Sequence, residues 1–211
     1  MYKRQAPERI EGGILGSVVP ALTGRVLGAL RMFCSARFLT VGPGLKSGIK
    51  LRLDNPAQLG AELLCGAVAA LEEGPGPLAV ISADTAISIM AVNGKQELVG
   101  GVILPGPQLS LSALVQKTAQ LPQIDLSAPA SSSILGKNTS ACLQNGFVLG
   151  TAGLLDGLAE RFQAELGPDI RFYATGNLPR TIREACRTPI EYREYLITDG
   201  LYRIWQKNRK G

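Results

Sequence analysis

Ser82-Ala83-Asp84-Thr85 forms a small polar knot between two apolar runs, 78–81 and 86–92, and the second run ends on Asn93-Gly94. Asn-Gly at the end of such a run is a strong hairpin signal. A tight turn of small hydroxyl residues lets backbone N–H groups lie against a phosphate. Asp84, however, points a negative charge into the same space, so the turn is either a phosphate site or the remains of one. A second candidate is Gly136-Lys137-Asn138-Thr139. It is too short for a P-loop, and it opens a long helix whose first N–H groups lack intrahelical partners, which makes it an ordinary helix start or an anion site. The chain has no histidine. That excludes His-based triads, His zinc sites and His general bases, and leaves any proton transfer to a carboxylate.

The 211 residues suffice for a sizeable core, and 45% apolar against 18% charged residues indicates a globular chain that is not disordered. The formal charge of +5 gathers at the ends, at Lys3 and Arg4 and at Arg193, Arg203, Lys207, Arg209 and Lys210. No basic stripe with interleaved aromatics occurs, so no nucleic-acid partner is expected. Cys34, Cys65, Cys142 and Cys186 are widely spaced without a Cys-x-x-Cys, and read as reduced core residues of a cytoplasmic protein. No signal peptide is evident, and no apolar run reaches a membrane span.

The elements that must position these residues are legible in outline. After a polar leader at 1–5, a strand is expected at 14–19, stopped by Pro20. A helix at 21–33 and a strand at 37–41 follow, then the Gly42-Pro43-Gly44 turn. Asp54 or Asn55 can cap a helix that has Pro56 in its first turn and runs to about 73. Gly74-Pro75-Gly76-Pro77 marks a domain boundary. Beyond it come strands at 78–83, 86–92 and 97–104, a helix at 109–120 and a Pro/Ser-rich loop to 133. A long helix to about 166 follows, then a strand at 170–174 and helices at 179–186 and 194–207. This order is an α/β domain with an antiparallel meander. Gly146, Gly150, Gly153 and Gly157 give the long helix a small-residue face that suits close packing. Asp156 is either a cleft residue or a plain polar helix position.

Taken together, SVVPALT, TVGPGLKSGI, DNPAQLGAELL, the hairpin, GGVILPGPQLSLSAL with KTAQLP, GKNT, GTAGLLDGLAER and YATGNL stand in family order. From about residue 10 onward the chain resembles the type III pantothenate kinases. The resemblance implies an α/β, RNase H-like fold of the acetate kinase/Hsp70/actin superfamily, with two halves around an ATP cleft. Residues 8–77 would be the C-terminal part of the first half and 78–211 the second half. The family's opening Asp-x-Gly-Asn-Thr phosphate turn does not occur here, so the first half is expected to be incomplete.

The resemblance also assigns roles. The family's second phosphate motif, Asp-x-Gly-Thr-Ala-Thr, falls on 82–87, with Thr85 as the ATP contact. Ser82 stands at the cation position with the carboxylate ligand lost, and Asp84 replaces the Gly that approaches phosphate. The family's Gly-Ala-Asp-Arg reads Gly60-Ala61-Glu62-Leu63. Glu62 is therefore either the catalytic base or a solvated helix residue. Its extra methylene moves a base by about an ångström, which can lose about 100-fold in rate. Gly60, Ala61, Leu63 and Thr139 fall on substrate-binding positions. Leu63 removes an Arg that would hold an anionic substrate, and Leu53 stands where a substrate-contacting Tyr is usual. The implied activity is ATP-dependent phosphorylation of pantothenate in coenzyme A biosynthesis, with magnesium and a monovalent cation (potassium or ammonium), in a cytoplasmic homodimer whose pocket the partner completes. The alternative, motivated by Ser82, Asp84 and Leu63, is a non-catalytic paralogue acting as a binding or dimerisation module.

Overall fold

The computed structural model describes residues 10–128 and 133–209. The polar leader at 1–5 and part of the Pro/Ser-rich loop, 129–132, lie outside the described residues. The chain opens with a β-α-β unit in which β1 (Gly12–Leu15) pairs in parallel with β2 (Arg37–Thr40) across α1 (Pro20–Phe33). The first strand is shorter than the expected 14–19. Ser17 Oγ accepts the Val19 N–H at 3.2 Å and the Thr23 hydroxyl at 2.8 Å, a local turn that ends the extended run. Pro20 then begins the helix instead of merely stopping the strand, since its missing N–H costs nothing at that position. The helical spacing in α1 holds, yet none of its residues is buried, and Leu22 and Phe33 are 50% and 71% exposed.

The single helix expected from 56 to 73 is two elements. Pro56–Gln58 is a short 3-10 turn capped by Asn55, whose Oδ1 accepts the Ala57 N–H at 3.2 Å. Leu59 and Gly60 are extended, and α2 (Ala61–Glu72) starts after them. Its small residues bring it against α6 (Leu196–Asn208). At Gly200 of α6 a side chain would collide with the Cys65 backbone, so only glycine permits that approach.

A six-stranded sheet runs in the order β3-β6-β5-β4-β7-β8. Its members are β3 (Lys50–Leu51), β4 (Leu78–Ala83), β5 (Ala86–Val92), β6 (Glu97–Pro105), β7 (Arg171–Gly176) and β8 (Ile190–Tyr192). β5 alone is antiparallel to the rest. The meander matches expectation. β8, three residues long between Pro189 and Arg193, was not foreseen because so short a segment carries no period. Side chains alternate between two cores. Ala79, Ile81, Ile87, Ile89, Phe172 and Ala174 meet Val148, Leu155 and Phe162 of α4 (Thr139–Leu166) and Ile182 of α5 (Arg180–Ala185). Leu78, Val80, Met90, Val92 and Tyr173 meet α2 and α6. The segments on either side of the Gly74-Pro75-Gly76-Pro77 stretch thus share a core. Arg171 ties that stretch down by donating to the carbonyls of Glu73 (3.3 Å), Gly74 (2.8 Å) and Pro75 (2.7 Å).

The meander closes into α3 (Pro107–Gln116), which begins at Pro107 and not at Leu109. The four cysteines are free, but not all are core residues. Cys65 is buried, Cys34 and Cys186 are half-buried, and Cys142 is exposed in the first turn of α4. Burial pushes the Cys65 thiol up to about 12 and that of Cys186 to about 11, where Asp156 adds to the effect. Among the described residues, no helix is long and apolar enough to cross a membrane.

Candidate functional site

The sheet order contains a switch point. From β4 the chain moves to one side for β5 and β6 and returns to the other side for β7 and β8. In open α/β sheets, ligands bind outside the carboxyl ends of strands at such a point. The carboxyl ends of β4 and β7 lie side by side, Ala83 opposite Gly176, and place the Asp84-Thr85 turn beside Gly176 and Asn177.

Three loops meet there. The Asp84 N–H donates to the Ala86 carbonyl at 2.9 Å, closing the turn. The Gly106 N–H donates to the Thr85 carbonyl at 2.9 Å, and the Asn177 N–H to the Ala83 carbonyl at 2.5 Å. Gly176 has φ +83°, a conformation that favours glycine, and a side chain there would strike the Ala83 carbonyl. Asn177 Nδ2 donates to Asp84 Oδ1 at 3.1 Å. Asp84 and Thr85 are exposed, whereas Ser82 is half-buried, level with Ser88 on β5 and Thr175 on β7. The result is a close-packed backbone rim with one carboxylate at its centre, held by an amide. The N–H groups of Asp84, Gly106 and Asn177 are thus taken up within the rim, and Asp84 adds a negative charge to it.

The other expected site residues gather around the first turn of α2 without sharing one cavity. Gly60 and Ala61 line a pocket of about 580 Å³ with the Gly42-Pro43-Gly44 loop and Asn55. Leu63 and Leu53 line a second, of about 300 Å³. Glu62 is exposed and borders a third, of about 170 Å³, with Ser17, Cys65 and Leu201. Successive helical residues point about 100° apart, so consecutive positions fan into different spaces. Thr139 is the first residue of α4 and exposed, lining none of these three cavities. The preceding residue, Asn138, caps the helix by accepting the Ala141 N–H at 2.9 Å.

Asp156 is neither a cleft residue nor a solvated one. It is buried on α4, accepting the N–H of Arg187 at 3.0 Å and of Thr188 at 2.9 Å, with Arg187 Nε at 3.4 Å. Burial pushes its carboxyl up, but those backbone N–H groups outweigh it and hold the group below the usual carboxylate range. Its role is to fasten the connection from α5 to β8. The residues that sequence reasoning missed at the rim are Gly106 and Asn177. Both lie in quoted motifs, but only the pairing of β4 with β7 and of β5 with β6 reveals what they touch.

Fold and rim define a mixed-sheet α/β protein with a tight polar turn at its switch point. The model of the type III pantothenate kinase family matches residues 2–161. The chain is 36% identical to the type III pantothenate kinase of Koribacter versatilis, over 95% of its own length and 72% of that protein. It is 34% identical to that of Exiguobacterium sp., over 96% of its length and 79% of that protein. A solved structure from Campylobacter jejuni, described as a Baf family transcriptional activator, shares the fold with a TM-score of 0.58 at 19% identity, covering 94% of this chain and 83% of that one. The chain belongs to the type III pantothenate kinase family.

Proposed function

We propose that the chain is a cytoplasmic kinase that transfers the γ-phosphoryl group of ATP to the primary hydroxyl of pantothenate, a step of coenzyme A biosynthesis. The observation that carries this reading is the membership of this family, with the Asp84-Thr85 turn lying where the carboxyl ends of β4 and β7 meet at the switch point of the sheet. The order β6-β5-β4-β7-β8 suits one RNase H-like half of the acetate kinase/Hsp70/actin superfamily, with β3 of the preceding segment added at its β6 edge. Thr85 contacts ATP. Glu62, exposed at the start of α2, accepts the hydroxyl proton, and Leu63 lines the cavity that takes the acceptor, while Gly60 and Ala61 line a separate cavity and Thr139 lies apart on α4.

The implied cations fit poorly. Ser82 offers a neutral hydroxyl, the Asp84 carboxylate is taken by Asn177, and no metal-holding cluster of acidic or cysteine side chains occurs among the described residues. Magnesium would be held chiefly by the ATP phosphates and would neutralise charge there, while the protein's own groups position the reactants. A homodimer is supported by the face of α4, where nothing lies within 4 Å of a side chain built at Gly146, Gly150 or Gly153. A helix of a second copy can approach closely there, and light scattering at twice the monomer mass is the expected result.

The test is ADP release at millimolar pantothenate. Release that depends on both pantothenate and Glu62 supports the reading, and its complete absence sinks it. The Asp84–Asn177 bond favours a second reading, a non-catalytic paralogue that keeps the fold as a binding or dimerisation module. ATP binding by the unaltered chain at micromolar level counts against that alternative.

A further inference from the structure

The arginines around α5 are held by carboxylates, with one exception. Arg180 pairs with Glu184 at 2.6 Å, Arg187 with Asp156 and Glu160 at 3.4 and 3.2 Å, and Arg193 with Glu73 at 3.3 Å. Arg183, half-buried on α5, meets no carboxylate among the described residues, and its enclosed Nε has no hydrogen-bond partner there. A buried donor left unpaired is costly. Its persistence marks a place for an acceptor that the chain itself does not supply.

An aromatic ring links this cation to the rim. The guanidinium lies over Tyr192, its Cζ 4.0 Å from the ring centroid, and the Tyr192 hydroxyl donates to the Gly176 carbonyl at 2.9 Å. Tyr192 ends β8 and Gly176 ends the neighbouring β7, so both stand at the carboxyl ends of the sheet beside the Asp84-Thr85 turn. Arginine suits such a post, because a planar guanidinium can rest on an aromatic face and still bind phosphate through its edge.

We propose that Arg183 reads the polyphosphate of a nucleotide seated at the rim. The assignment rests on the kinase reading above and extends it, since the guanidinium supplies the positive charge that the Asp84-Thr85 turn lacks. Asp84 by itself repels a triphosphate, and a cation one ring away from Gly176 offsets that repulsion.

Calorimetric titration of the full chain compares a non-hydrolysable ATP analogue with adenosine, which carries no phosphate. Arg183→Met, which keeps much of the side chain's length and removes its charge, is expected to weaken the analogue about tenfold and to leave adenosine unchanged. Arg183→Lys should recover part of the loss, since it restores the charge without the fork. Unchanged affinity for the analogue in Arg183→Met overturns the proposal, as does an equal loss for adenosine, the mark of a rim altered in shape. No binding of the analogue by the unaltered chain at about 10 mM overturns it as well. ADP release with ATP and pantothenate separates this assignment from the kinase reading. Analogue binding that depends on Arg183, without any ADP release, leaves the assignment standing and fails the kinase. ADP release with the same KM for ATP in Arg183→Met does the reverse.

Discussion

Asn177 Nδ2 donates to Asp84 Oδ1 at 3.1 Å, across the ends of two parallel strands that begin about ninety residues apart in the chain. In the proposed kinase reading the carboxylate stands where a phosphate would approach, and the amide holds it there. Two unit charges at about 4 Å repel by about 1 kcal/mol in water and about 4 kcal/mol at an effective dielectric of about 20. Asp84 is exposed, so the lower figure governs. Asp84→Gly is expected to tighten binding of an ATP analogue by about fivefold. Calorimetry on both proteins checks this, and an unchanged affinity would remove Asp84 as the obstacle.

Asp156 sets an acid limit on stability. Its folded-state pKa lies below the unfolded one, so its contribution is fully present above the unfolded value near 4 and is lost as pH falls through the folded value. Urea unfolding from pH 6 down to about 2 is expected to show stability falling more steeply in the unaltered chain than in Asp156→Asn. At neutral pH, Asp156→Ala strands the N–H groups of Arg187 and Thr188. It is expected to cost about 2–3 kcal/mol.

Arg171 fastens the entry to β4 by donating to three successive carbonyls, those of Glu73, Gly74 and Pro75. Arg171→Met is expected to lower unfolding free energy by about 2 kcal/mol, because charged-group hydrogen bonds of this kind contribute about 1.5–3 kcal/mol and do not add fully. Arg171→Lys should recover only part of it, since a point charge cannot fork to several carbonyls. Equal stability of the Met and Lys variants would contradict the fork.

The hairpin after β5 holds its strain at Gln96, which has φ +58°. Side chains disfavour that conformation and glycine does not. Gln96→Gly is expected to stabilise the protein by about 0.5–1 kcal/mol, measured as an upward shift of the urea midpoint.

Where local chemistry decides, the residues alone were enough. The nearly continuous apolar runs of β4 and β5 mark strands buried on both faces. Asn93 Oδ1 accepts from Lys95 and Glu97 at the expected turn, and Asn138 caps α4 at its expected start. Each feature depends on contacts within a few positions of the chain, and such contacts leave a signature in spacing and residue type. The family resemblance was legible for the same reason, because its motifs are short contiguous runs.

Other properties depend on groups distant in sequence. Strand pairing brings Asn177 to Asp84, and the exit of Glu62 and Leu63 toward separate cavities depends on where α2 begins after Gly60. The apolar stripe of α1 gave no warning that it stays exposed, because periodicity reports a face and not what covers it. The chain alone determined which residues lie at turns, caps and core faces, through local propensity and periodicity. Only the tertiary structure decided which of those residues meet, since sheet order and register set distances that no spacing along the chain encodes.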